Sequence, residues 1–254
     1  MLFCLAWGFI GSFISLALSR FLAKKLMGVI ILNGKKKSKI LEKVNKDEQL
    51  ARSAKIPMPE VGIYCSDEVN AFATGPSKNR SLVAFSTELL KKFEKDEVIA
   101  VAAHEIAHIE NGDMITMTLL QGVINAFVMF FARVIAYAAS SYAKNERGAT
   151  VIWYIVLIAC HLIFGMLGAI ITCWFSRKRE YRADADAAKL YGAQSMIKAL
   201  ERLASLADLE TKIETPKAMS AFCISSKKKA GFFSKIYSTH PDFEKRIEAL
   251  KLYS

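Results

Sequence analysis

The chain has 254 residues, a formal net charge of +11 and a hydrophobic share of 53%. That share, with a positive mean hydropathy, excludes an ordinary soluble reading until membrane spans have been sought. Many of the basic residues flank apolar segments, which argues for a membrane surface more simply than for nucleic acid as their partner.

From the N-terminus, Leu2 to Leu18 is a run of seventeen residues without a charge, the short limit for a spanning helix. Arg20, Lys24, Lys25, Lys35, Lys36, Lys37 and Lys39 follow it. An amphipathic helix is expected from Ile40 to Ala54, ended by Pro57 and Pro59. Val61–Cys65, Asn70–Thr74 (closed by Gly75 and Pro76) and Ser81–Phe85 read as strands of a small antiparallel sheet. Thr87–Phe93 reads as a short helix, and Asp96 is expected to open a longer one running through Gly112 towards the membrane.

Two further spans follow. Leu119–Ala139 is interrupted by Gln121, Asn125 and Arg133, whereas Val151–Phe175 has no Asp, Glu, Lys or Arg and carries His161, two cysteine thiols and Tyr154 as its ionisable groups. Trp153 and Tyr154 at one end and Trp174 at the other match aromatic belts. Beyond it stand Arg177, Lys178, Arg179 and Arg182. Helices are then expected at Lys178–Tyr191, stopped by Gly192, at Gln194–Leu206 and at Asp242–Leu250. Lys227, Lys228 and Lys229 with Gly231 read as an exposed loop.

The expected fold is therefore an α+β integral membrane protein. Residues 1–31 form an anchor with its basic flank, 32–114 and 177–254 two halves of one mostly helical catalytic domain, and 115–176 a transmembrane hairpin between them. If the basic clusters mark the cytoplasm, both halves lie there and the loop near Ser140–Thr150 lies outside. This topology leaves the N-terminus outside, which leads us to expect a span before residue 1. The five cysteines, Cys4, Cys65, Cys160, Cys173 and Cys223, are odd in number and lack a CxxC pair, so no disulfide framework or cysteine zinc site is indicated.

The stretch that carries chemistry is His104-Glu-Ile-Ala-His108. On a helix, a four-residue step puts both imidazoles on one face, where they can share a metal ion, with Glu105 beside it as a general base. The residues before it, Val98, Ile99, Val101, Ala102 and Ala103, are apolar, so these polar groups are expected to be buried. A catalytic zinc needs a third protein ligand. A third histidine in the extended pattern is missing, because Asn111 and Met114 occupy the required positions. Glu180 is the expected ligand, with Asp184 one turn on to orient a ligand histidine. The same residues would equally suit a solvated helix face beside Arg179 and Arg182. His161 lies mid-span and is expected to bond a neighbouring helix. His240, before Pro241, is most simply a turn or capping residue on sequence grounds.

These motifs together resemble the HtpX-type membrane zinc metallopeptidases, relatives of the CAAX prenyl proteases. The resemblance rests on Asn70-Ala-Phe-Ala-Thr-Gly75, His104 to Asp113, Trp174-Phe-Ser-Arg-Lys-Arg-Glu-Tyr-Arg-Ala-Asp184, Ser238-Thr-His-Pro241 and Arg246-Ile-Glu-Ala-Leu250. It implies one zinc per chain on His104, His108 and Glu180, Glu105 as catalytic base, and His240 as a stabiliser of the oxyanion. It also implies a bacterial inner membrane with a cytoplasmic site, and a role in stress response and quality control of damaged membrane proteins. Asn70, Ala71, Phe72, Ala73 and Thr74 are expected to hold the substrate if their strand is an edge. Two other readings stay open: a prenyl-protein protease, and a membrane adaptor whose zinc is not catalytic. The oligomeric state is not legible in the sequence.

Overall fold

The computed structural model describes residues 2–32, 47–212 and 237–253. Among the described residues, three helices are long and apolar enough to cross a membrane: α1 (Leu2–Leu26), α5 (Asp113–Ser140) and α6 (Glu146–Tyr191). α1 and α6 both pack on α5. Small residues bring the helices close: a Cβ on Gly8 would stand 2.8 Å from the backbone nitrogen of Ala126, and one on Gly168 would stand 2.5 Å from Ile124. This is the usual way for helices to associate in lipid, where packing replaces the hydrophobic drive. From Tyr154 to Trp174 along α6 is about 30 Å at 1.5 Å per residue, one hydrocarbon thickness.

The polar part is built on a four-stranded sheet. Its strands are β1 (Ile30–Ile31), β2 (Glu60–Tyr64), β3 (Ala71–Ser77) and β4 (Arg80–Ser86), in the order β1-β2-β4-β3. The expected antiparallel sheet is in fact mixed, because β2 and β4 run parallel while the other two pairings are antiparallel. The cause is the β3–β4 hairpin: β3 is laid down one strand-width away from β2, and β4 returns through the gap. β3 continues through Gly75-Pro76 to Ser77 and forms an edge of the sheet, so proline there removes no ladder bond from a central strand.

Alternation along the strands gives the sheet two buried faces. Val61, Val83 and Phe85 join the main core with Leu89, Ile99, Ile106, Leu200 and Leu250. Tyr64, Leu82 and Ala84 pack on the other side against Ala23 of α1. Glu60 ties the end of α1 to this layer, 2.7 Å from Arg20 and 2.6 Å from Lys24. Burial alone would raise the Glu60 carboxyl, but hydrogen bonds from the two cations hold it below its usual value.

α2 (Asp47–Ser53) is the described part of the helix expected at 40–54; residues 40–46 lie outside the described residues, as does the Lys227–Gly231 segment. α3 (Thr87–Lys92) is capped by Ser86, whose side chain accepts from the Leu89 amide. α4 (Lys95–Glu110) carries the HExxH pattern and starts at a capping box of Glu94 and Glu97. It stops before Gly112 and does not run on into the membrane. Gly112 adopts φ 68°, a left-handed conformation that glycine takes without penalty, and so redirects the chain into α5. The separate helix expected at 178–191 is the last part of α6, a continuous helix of 46 residues. No proline or glycine interrupts Phe175–Lys178, so the change there is one of composition and not of backbone. α7 (Ala193–Lys212) and α8 (Phe243–Lys251) complete the described fold.

Candidate metal centre

α4 is buried at every position from Val98 to Ile109. This places His104, Glu105 and His108 inside the core, at the side facing α6, whose Glu180 is only 2% exposed. A polar cluster of this kind persists in a core only when its members are paired.

The pairing has a specific geometry. The Nε2 atoms of His104 and His108 are 3.2 Å apart. Glu180 Oε2 lies 3.5 Å from the first and Oε1 lies 3.4 Å from the second. A tetrahedral zinc site with bonds of about 2.0–2.1 Å has ligand-to-ligand edges of about 3.3–3.4 Å. The three donors therefore already stand at the corners that one zinc ion would require, and all ligand atoms fall within 4.8 Å of one another. Two neutral imidazoles and one carboxylate, with a fourth position left for water or substrate, form a donor set typical of catalytic zinc.

The far nitrogens of both rings also face carboxylates. His104 Nδ1 is 3.0 Å from Asp184 Oδ1, though off the line of an ideal hydrogen bond, and His108 Nδ1 is 2.6 Å from Asp113 Oδ2. Contacts of this type fix the tautomer that turns Nε2 towards a metal. Arg246 of α8, 5% exposed, grips Asp184 with two bonds of 2.7 Å and reaches to 3.5 Å from Glu180 Oε2. Arg179 lies 3.8 Å from Asp113. Glu105 is buried next to His104, within electrostatic reach of His108 and Arg246. His240 comes in from the C-terminal segment and sets Nδ1 3.0 Å from Glu180 Oε2.

Without a metal, this arrangement favours charged histidines. Burial by itself would lower His104, but Asp184 and Glu180 outweigh it and lift it to about 10. His108 is likewise lowered by burial and raised further by Asp113 and Glu180. Both rings must shed a proton before they can ligate a metal ion, so affinity for added zinc should rise at least about tenfold per pH unit between pH 6.5 and 8.5. Competition titration against a coloured chelator at several pH values checks this, and a flat profile would show that the rings are already neutral. In the metal-free protein, the stabilisation from these raised groups is complete below about pH 6.5 and is lost as pH climbs towards their folded values.

The structure thus brings His104, His108, Glu180, Glu105, Asp184 and His240 into one cluster. Asn70–Thr74, on β3 and its approach, makes none of these polar contacts, but β3 packs against α4, the helix that carries the two histidines. His161 differs from expectation: its Nδ1 lies 2.8 Å from the Leu157 carbonyl, one turn back on its own helix. Asp113 and Arg246 were missed as members of the site. Asp113 carried a readable signal, a lone acid directly after Gly112 at the head of an apolar helix. Nothing local marks Arg246, since its partner is 62 residues away.

Residues 37–254 match peptidase family M48. The protease HtpX homolog of Bacillus subtilis (strain 168) is 46% identical over 260 residues, covering 99% of this chain and 84% of that protein. Protease HtpX of Pasteurella multocida (strain Pm70) is 46% identical over 251 residues, with 99% and 86% covered. Among solved structures, S. mikatae Ste24p superposes with a TM-score of 0.72 at 18% identity, a likeness of fold that covers 98% of this chain and 57% of that one. Fold and site together define an integral membrane metalloprotease, acting on peptide bonds. Within that class the chain belongs to peptidase family M48, and it is similar over nearly its whole length to the HtpX proteases.

Proposed function

We propose that this protein is a zinc endopeptidase that cleaves damaged or misfolded membrane proteins at the cytoplasmic face of a bacterial inner membrane. The observation that carries the zinc reading is the triangle of 3.2, 3.4 and 3.5 Å edges among His104, His108 and Glu180. Residues 32–114 and 177–254 act as two halves of one catalytic domain, which the hairpin of 115–176 closes. The basic residues after α1 and near the end of α6 support the cytoplasmic placement.

Bound zinc would supply a Lewis acid that polarises a peptide carbonyl and makes a water molecule more acidic. Glu105 takes the proton of the attacking water and hands it to the departing amine. Asp184 and Asp113 keep the two ligand rings oriented, and Arg246 holds Asp184 in place. His240 swings from Glu180 to donate a hydrogen bond to the oxyanion as it forms. An extended client adds to the free edge of β3 along Ala71–Thr74, with Asn70 at its entrance. That β3 pairs only with β4 among the described residues supports this docking.

The test uses zinc-loaded protein in proteoliposomes with two clients: an unlipidated misfolded membrane protein and a prenylated peptide. Cleavage of the first, abolished by a chelator and restored by zinc, is expected. Cleavage of the prenylated peptide alone would favour the prenyl-protease reading. Tight zinc without cleavage of either would favour a non-catalytic adaptor. Labelling of the exposed Cys65 by an impermeant thiol reagent, in inverted vesicles and not in right-side-out ones, checks the orientation.

A further inference from the structure

Between α5 and α6, inside the span, lies a cavity of about 230 Å³ lined in part by Gln121, Asn125, Gly165, Gly168, Thr172 and Cys173. Its near end is defined by Gln121, eight residues beyond Asp113, and by Thr172, eight residues before Glu180. At 1.5 Å per residue both lie about 12 Å from the metal centre, and Gly165 lies about 22 Å from it. The cavity is thus a groove at fixed depth under the site.

Its lining is mostly apolar, with Ile124, Val128 and Ala169, but it also carries the two amides of Gln121 and Asn125. Gln121 Nε2 donates to Asn125 Oδ1 at 2.8 Å, and the other amide donor and acceptor of the pair have no partner among the described residues. Amide groups at that depth are costly unless a partner reaches them, and an acyl chain offers none. The groove also has room. A Cβ on Gly165 would meet nothing within 4 Å, whereas Gly168, a turn away, is in contact with α5.

A path joins the groove to the metal centre. Cys173 Sγ, at the rim, donates to the Tyr237 carbonyl at 3.2 Å, Arg177 Nη1 donates to the Ser238 carbonyl at 2.7 Å, and His240 meets Glu180. Four residues of the chain itself therefore run from the groove to the ligand. Cys173 and Glu180, seven residues apart on α6, are about 10 Å apart, a distance that the three steps from Tyr237 to His240 can span at about 3.3–3.6 Å each.

From this we propose that the groove binds a transmembrane helix of the client through a polar side chain in that helix. The bond cleaved then lies about four to eight residues outside the client's membrane segment. This deepens the proposed function and rests on it. The groove selects membrane helices with an unpaired polar residue, the state of a subunit that has lost its partners.

The test compares two single-span clients in proteoliposomes, one with an all-leucine segment and one with a single asparagine placed at groove depth. A soluble unfolded protein serves as control. The asparagine client should be cleaved about 3- to 30-fold faster, the range expected for a hydrogen bond between helices in lipid. Asn125→Leu should erase that preference, and Gly165→Leu should slow both membrane clients, with the soluble control unchanged for either variant. Cleavage should map four to eight residues from the segment. Equal cleavage of the two clients by the parent, or no effect of Gly165→Leu, would overturn the proposal, as would the groove holding only lipid or a second copy of the chain. If even the soluble protein is not cleaved, the proteolytic reading has failed instead. The groove is then decided by photocrosslinking a client carrying a reactive group beside its asparagine to the zinc-loaded Glu105→Gln form: capture by α5 or α6 supports it, and its absence refutes it.

Discussion

Replacing Glu105 with Gln should leave zinc binding intact while lowering peptide hydrolysis by about 10²–10⁴-fold, the usual contribution of a positioned general base. Glutamine has nearly the same shape and fills the same buried place beside His104, so the core around α4 should be unchanged. What it lacks is a carboxylate able to accept the proton of water. Parallel measurement of bound zinc and of casein-type cleavage separates the roles. Equal activity in parent and variant would remove Glu105 from the mechanism, and loss of zinc in the variant would recast it as part of the metal's support.

Arg246→Ala should be the most destabilising single change in the polar half. Arg246 is 5% exposed and neutralises two buried carboxylates, gripping Asp184 at 2.7 Å twice and approaching Glu180 at 3.5 Å. Removing one partner of a buried ion pair costs about 3–5 kcal/mol, because the remaining charge has neither water nor counter-ion. For a domain of this size that corresponds to a fall in Tm of about 6–20 °C in the metal-free protein. Zinc affinity should fall about 10- to 100-fold as Asp184 loses its anchor and His104 its orientation. Arg246→Lys should recover only part of this, since an ammonium cannot reproduce the two-pronged grip. Thermal unfolding followed by far-ultraviolet circular dichroism, with and without zinc, checks both effects. An unchanged Tm in the alanine variant would mean that the pair is hydrated.

The two predictions differ in how far the sequence already pointed to their residues. His104, Glu105 and His108 are legible because a four-residue step on a helix dictates a shared face. Glu180 and Asp184 offer the further ligand and the orienting carboxylate that the site needs, but their spacing alone equally suits a solvated helix face. Arg246 could not be found that way, because its contact with Asp184 depends on how α8 packs against α6, and no periodicity records that. The parallel pairing of β2 with β4 escaped for a similar reason: strand spacing says where strands begin, not which neighbour a hairpin inserts beside. Helix ends are not legible where composition and conformation part company. α6 passes from apolar to basic at Phe175–Lys178 without a break, whereas α4 and α5, which read as one path, are separated by Gly112.

In the proposed function, two imidazoles from α4 and one carboxylate from beyond the membrane hairpin hold a single zinc. X-ray absorption at the zinc edge of the loaded protein tests this most directly. Two imidazole nitrogens and one carboxylate oxygen at about 2.0–2.2 Å, with one further light atom, are expected, and Glu180→Ala should lose the carboxylate ligand and most of the bound metal. A zinc sphere containing sulfur, or one unchanged by Glu180→Ala, would contradict it.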